Sequence, residues 1–189
     1  MSWTKPSKIS MPCNTIIAII LASGKGTRFG MPKAEAGFDG KSFTQLIKDT
    51  LHKAELSRIV VADSYNSPDM LATLRLAVSD IMLSEGGDAG GYLIFPVDFP
   101  FVTPDTIRNL ITKHQENQNA VIHPLFEARR GHPVIIPAAT NLLVDDEGKG
   151  LREVLSKNNL AHIDVPVTDK GVISNINTPE DLAAWTQKN

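Results

Sequence analysis

From Leu21 to Lys33 the chain reads L-A-S-G-K-G-T-R-F-G-M-P-K, which sets three cations, Lys25, Arg28 and Lys33, among closely spaced glycines. Gly24 and Gly26 can turn backbone N–H groups towards an anion with no Cβ in the way, and the cations add charge and side-chain donors. A loop with both properties suits a triphosphate. Two familiar phosphate loops do not fit. A P-loop ends in Gly-Lys-Ser/Thr, whereas Gly30 is followed by Met31-Pro32, and a dinucleotide fingerprint needs Gly where Phe29 stands. The alternative is a strand-to-helix turn with glycines placed for steric reasons and cations that are merely solvated.

Three further positions could do chemistry. Asp98 follows the apolar run Tyr92 to Val97, so its carboxylate sits where a buried strand ends. Such a residue can hold a cation or cap the next turn. Arg130, Gly131 and His132 form a turn ahead of another apolar run, and the guanidinium and imidazole can meet an anionic or heteroaromatic ligand. A His before Pro is equally at home as a turn residue. Arg152 can reach a phosphate or remain on a solvated helix face.

The elements that must hold these residues are readable from periodicity. Thr15 to Ala22 is a continuous β-branched apolar run, expected as a central strand buried on both faces, and Arg58 to Ala62 and Tyr92 to Val97 read the same way. Helical spacing is expected over Ser42 to Ala54, Asp69 to Met82, Pro104 to about His114 with Thr103 as N-cap, and Gly148 to Lys157. Ala120 to His123 and Pro133 to Ile136 are short strands. Thr178-Pro179-Glu180-Asp181 opens a last helix with Thr as N-cap and Pro at the first helical position. The alternation predicts an α/β protein, a three-layer α/β/α sandwich on a mostly parallel, Rossmann-like sheet, with its ligand at the carboxyl ends of the strands.

With 189 residues, 42% hydrophobic, one domain over 15–189 is expected, preceded by a disordered extension at 1–14. A formal charge of −2 gives no broad attraction to nucleic acid or to an anionic membrane, so neither is expected as a partner. The one cysteine, Cys13, excludes an internal disulfide and a CxxC metal site. There is no apolar signal region at the start and no apolar run long enough to span a bilayer, so a cytoplasmic protein is expected.

The Leu21 to Lys33 string resembles the nucleotidyltransferase signature L-A-[AG]-G-x-[GS]-x-R-[MF]-G-x-x-K of the MobA-like family. Phe95 to Val102 (F-P-V-D-F-P-F-V) is similar to the family's P-x-D-x-P-x-V segment, and Arg129 to Val134 to the R-G-H-P stretch of its cytidylyl-transferring branch. Asp146 to Arg152 resembles G-D-x-G-x-R, and Asn175 to Leu182 the D-I-D-T-P-E-D-L ending. These five motifs, in family order, cover about Thr15 to Trp185. The resemblance implies Mg2+-assisted transfer of a nucleoside monophosphate from a nucleoside triphosphate to the phosphate of a small acceptor such as molybdopterin, with release of pyrophosphate. It implies that Leu21, Ala22, Ser23, Gly24, Gly26 and Thr27 line the nucleotide, that Lys25 and Arg28 hold its β- and γ-phosphates, and that Lys33 serves the α-phosphate. Asp98 would bind Mg2+, and Arg130, Gly131, His132 and Arg152 would face the acceptor.

The chain also departs from the pattern. Asn177 stands where the family commonly has an Asp that assists the metal, which predicts a weaker Mg2+ site, because an amide oxygen brings no charge. Only Arg58 to Pro68 separates the first helix from the second, where relatives spend a further helix and strand, so one βα crossover is expected to be missing and a sheet edge exposed; this favours a monomer or a homodimer. Ser23 replaces the Ala or Gly that separates cytidylyl from guanylyl relatives, and the R-G-H-P stretch points to CTP. Two other readings remain open: a sugar- or alcohol-phosphate nucleotidylyltransferase, and a nucleotide-binding accessory protein without turnover.

Overall fold

The computed structural model describes residues 16–23, 37–65, 67–84, 89–145 and 147–187. The expected extension at 1–14, Cys13, and the loop residues Gly24, Lys25, Gly26, Thr27, Arg28 and Lys33 lie outside the described residues. In chain order the elements begin with β1 (Ile16–Leu21), the hairpin β2 (Gly37–Phe38) and β3 (Lys41–Ser42), α1 (Phe43–Lys53), β4 (Ile59–Ala62), α2 (Met70–Ser84) and β5 (Gly91–Pro96). There follow α3 (Pro104–Glu116), β6 (Ala120–Phe126), β7 (Arg129–Arg130), β8 (Val134–Pro137), α4 (Leu151–Lys157), β9 (Ala161–Pro166), a 3₁₀ turn at Lys170–Ile173 and α5 (Pro179–Thr186).

All six residues of β1 are buried, as its unbroken I-I-A-I-I-L run requires of a strand covered on both faces. β4 and β5 pair with it in parallel, and the sheet runs β4-β1-β5-β8-β6-β7 with β9 on the other side of β6. β4 ends this sheet among the described residues. β7 and β8 run against β6, so five of the seven strands point one way. The sheet is mixed, with the parallel majority expected of a Rossmann-like nucleotide-binding fold.

The two faces carry separate cores, which makes the architecture three layers. Ile16, Ala18 and Ile20 face α1 and α3 through Phe43, Ile47, Ile107 and Leu110, with Leu182 and Trp185 of α5 packed at the margin. Ile17, Ile19 and Leu21 face α2 and α4 through Leu71, Leu74, Val78, Val154 and Leu155. Capping follows the sequence. The side chains of Thr103 and Thr178 accept from Thr106 N–H and Asp181 N–H, and Thr178 with Asp181 completes a capping box. No helix among the described residues is long and apolar enough to cross a membrane.

β7 and β8 are in effect one strand broken by Gly131–Pro133. Leu125 pairs with Arg130, whereas Ile122 pairs with Ile135, so two extra residues bulge from this strand relative to β6. The bulge falls beside the carboxyl end of β5. It therefore re-aims Arg130 and His132 towards the end of the sheet at which the parallel strands finish.

Candidate active site

At the carboxyl end of β1, Ala22 N–H donates to the Ala62 carbonyl (3.0 Å), holding the first residues beyond the strand in the sheet. Ser23 Oγ lies 2.7 Å from Thr73 Oγ1 of α2, and Thr73 Oγ1 is also 2.5 Å from Ser67 Oγ and donates to the Asp69 carbonyl at 3.0 Å. A threonine hydroxyl has one hydrogen and two lone pairs, so the two serines donate to it and its capacity is filled. Thr73 is fully buried. Ser23 thus anchors the point where the chain leaves β1 to the first turn of α2, a contact that neither Ala nor Gly can make.

Asp98 follows β5, and its carbonyl accepts from Ile176 N–H at 2.7 Å. That bond draws the segment ahead of α5 alongside, so Asn177 stands next to the residue clamped to Asp98. Asn177 N–H itself donates to Asp181 Oδ2 at 2.9 Å as part of the α5 cap. The backbones of the sequence-distant pair expected to serve a metal therefore run close to each other. Among the described residues no group of three or more His, Cys, Asp or Glu could hold a metal ion. One carboxylate with one amide suits a hard cation that keeps substrate oxygens and water as its other ligands.

His132 closes this corner. Its ring tilts against Phe99 with centroids 4.9 Å apart, and His132 N–H donates to the Val172 carbonyl at 2.8 Å. Burial lowers the imidazole pKa, with the nearby Asp98 charge opposing that shift, and Nδ1 is buried with no hydrogen-bond partner among the described residues. The ring is thus held neutral with a polar atom still to satisfy. Gly131 is needed for another reason: a Cβ there would lie 2.2 Å from the Val172 carbonyl oxygen. Its absence lets the bulge lie against the 3₁₀ turn.

Arg130 is already engaged. Its Nε donates to Asp164 Oδ1 at 2.6 Å and its Nη2 to Oδ2 at 3.2 Å, a two-point pair in which β9 fixes the guanidinium. Arg152, in the first turn of α4, makes no ion pair among the described residues, whereas Lys149 just before it pairs with Glu147 at 3.0 Å. Arg130, Gly131, His132 and Arg152 all line one cavity of about 960 Å³ between α2, α4 and the sheet. Leu21 at the end of β1 and Pro96 at the end of β5 also line it, with an otherwise apolar floor that includes Leu74, Ile94 and Leu155. This is the expected place for a ligand of such a fold, and the size is ample for one.

Two cavity residues have no counterpart in the sequence reading. His123 on β6 and His162 on β9 lie on the same sheet face as Arg130 and Asp164, because the parallel register pairs Val121 with His162 and His123 with Asp164. His123 Nε2 and His162 Nδ1 are 2.9 Å apart, the ring centroids 5.1 Å and the planes 9° apart, so the rings lie edge to edge in nearly one plane. Burial, followed by the charges of Arg130 and His162, pushes the His123 pKa down to about 4, and partial burial with Arg130 lowers that of His162. Both are neutral near pH 7. The signal available in the sequence was the alternation in A-H-I-D-V-P, which marks β9 as a strand.

Comparisons with known proteins agree with this fold. A family model described as MobA-like NTP transferase domain matches residues 18–163. A probable molybdenum cofactor guanylyltransferase of Bacillus cytotoxicus is 24% identical over 191 aligned positions, covering 89% of this chain and 95% of that protein. Among solved structures, Rv0371c from Mycobacterium tuberculosis superposes with a TM-score of 0.70 at 16% identity, covering 93% of this chain and 99% of that one. Its complex with manganese gives 0.66 at 16% identity, covering 93% and 100%. With the family model spanning most of the chain and the strand ends arranged as described, the chain belongs to the MobA-like NTP transferase domain family and is a nucleotidyltransferase.

Proposed function

We propose that the protein transfers CMP from CTP to the phosphate of a small acceptor of the molybdopterin or molybdenum cofactor kind, releasing pyrophosphate. The observation that carries this reading is a cavity in which the end of β1, where the Gly-rich loop begins, meets the Arg130–His132 bulge. Nucleotide and acceptor can then share one space, and an in-line displacement at the α-phosphorus needs just that juxtaposition. Lys25 and Arg28 bind the β- and γ-phosphates in this reading, Lys33 the α-phosphate, and Leu21, Ala22, Ser23, Gly24, Gly26 and Thr27 shape the loop around them. Mg2+ would be held by Asp98, with Asn177 as a neutral oxygen donor, and when bound would neutralise charge building on the phosphate oxygens. A manganese complex of a protein with this fold makes a divalent ion reasonable.

Arg130, Gly131, His132 and Arg152 face the acceptor. The Asp164 pair leaves Arg130 an orienting role, so Arg152 carries the larger share of phosphate recognition, while His132 Nδ1 offers one hydrogen bond. GTP is the second reading, favoured by the name of the Bacillus relative. Labelled pyrophosphate release from each nucleotide, with a panel of pterin and sugar phosphates, tests the proposal. Turnover with CTP and a pterin phosphate supports it; turnover with GTP alone moves the assignment to guanylyl transfer. No turnover with any pair removes the enzymatic claim.

A further inference from the structure

His123 and His162 point at each other across 2.9 Å in nearly one plane, the geometry of a ring-to-ring hydrogen bond and not of two lone pairs converging on one ion. One ring donates the N–H and the other accepts it, and the outer nitrogens, His123 Nδ1 and His162 Nε2, enter no hydrogen bond among the described residues. We propose that this pair is an anion subsite in the acceptor half of the cavity, binding a phosphate group of the ligand and taking up one proton as that group docks. The inference rests on the reading of the cavity as the acceptor site.

The surroundings favour an anion. Arg152 lines the cavity with no ion pair among the described residues, Arg130 and Lys149 line it from their pairs with Asp164 and Glu147, and the one lining carboxylate, Asp69, already accepts from Ala72 N–H at 2.8 Å. Arg130 on β7 and Asp164 on β9 flank the pair, His132 looks on from the bulge, and Arg152 and Lys149 lie across the cavity. Before docking, partial burial and the Arg130 charge keep both rings neutral. An anion offsets that charge. A solvent proton then adds to the lone pair of one outer nitrogen, giving an imidazolium hydrogen-bonded to an imidazole, with every bond otherwise unchanged. Linkage makes the converse true: phosphate binding tightens as pH falls towards the midpoint of the pair.

Histidine ring C–H signals of the whole protein, followed by NMR across pH in inorganic phosphate and in chloride at matched ionic strength, test this. The expected result is that phosphate raises the His123 and His162 midpoints together by roughly half a unit or more. His162→Asn, an exposed position on β9, abolishes the shift at His123. Midpoints that move no more in phosphate than in chloride overturn the subsite. The pyrophosphate assay separates the two claims: turnover with unresponsive rings defeats the subsite alone, and responsive rings without turnover defeat the functional reading alone.

Discussion

Asn177 follows Ile176, whose N–H is bonded to the Asp98 carbonyl, and its own N–H is held by Asp181, so its backbone has little freedom to move. In the proposed metal role Asn177→Asp adds a second carboxylate to the site, and the expected outcome is a Mg2+ requirement for pyrophosphate release satisfied at roughly tenfold lower metal concentration, the scale of one added ligand charge. A metal titration that overlays the wild type would place position 177 away from the ion. Asp98, Arg130, Gly131, His132 and Arg152 were visible in the sequence because each sits in a motif. His123 and His162 were not, because their pairing exists only through the β6–β9 register, and no spacing along the chain encodes a contact between residues 39 apart. The Arg130–Asp164 pair was hidden for the same reason, and it alters what Arg130 is free to do.

Among the elements, those with a strong period and a cap were legible. β1 announced itself by an unbroken apolar run, and α3 and α5 by Thr103 and Thr178. β9 was missed because four of its six residues are exposed, which removes the apolar signal that marks a buried strand. β7 is two residues long, and the bulge after it makes sense only beside β6. The joint between α3 and the 3₁₀ turn rests on Asp169, another residue no motif marks. Its Oδ2 accepts from Thr103 N–H (2.7 Å), Thr103 Oγ1 (2.9 Å) and Thr106 Oγ1 (2.8 Å), and its Oδ1 from Gly171 N–H (2.9 Å). Asp169→Ala leaves the buried Thr106 hydroxyl without that acceptor and is expected to cost roughly 2 kcal/mol, lowering Tm by about 4–8 °C for a chain of this size. Thermal melting followed by circular dichroism checks it, and an unchanged Tm would mean water replaces the carboxylate at no cost.

For the whole molecule, burial lowers the pKa of His114, His123, His132 and His162 in the folded state. Above the unfolded value near 6.5 these rings are neutral in both states and the effect is absent. As pH falls below 6.5 the unfolded chain takes up protons that the fold refuses, so stability declines through the window down to about 4, where His123 itself charges. His123 alone contributes a loss on the order of 3 kcal/mol across that window. Urea unfolding at pH 7, 6, 5 and 4.5 measures it, and a flat profile would contradict the buried neutral state of these rings. Binding of a nucleoside triphosphate where β1 ends, as proposed, can be tested without knowing the acceptor. Thermal stabilisation by each of the four nucleoside triphosphates with Mg2+ is the most direct measurement. One nucleotide, CTP in this account, at a hundredfold excess over its Kd stabilises the protein by about 2.7 kcal/mol, and Lys25→Ala and Arg28→Ala each weaken that gain. No stabilisation by any of the four would contradict the account.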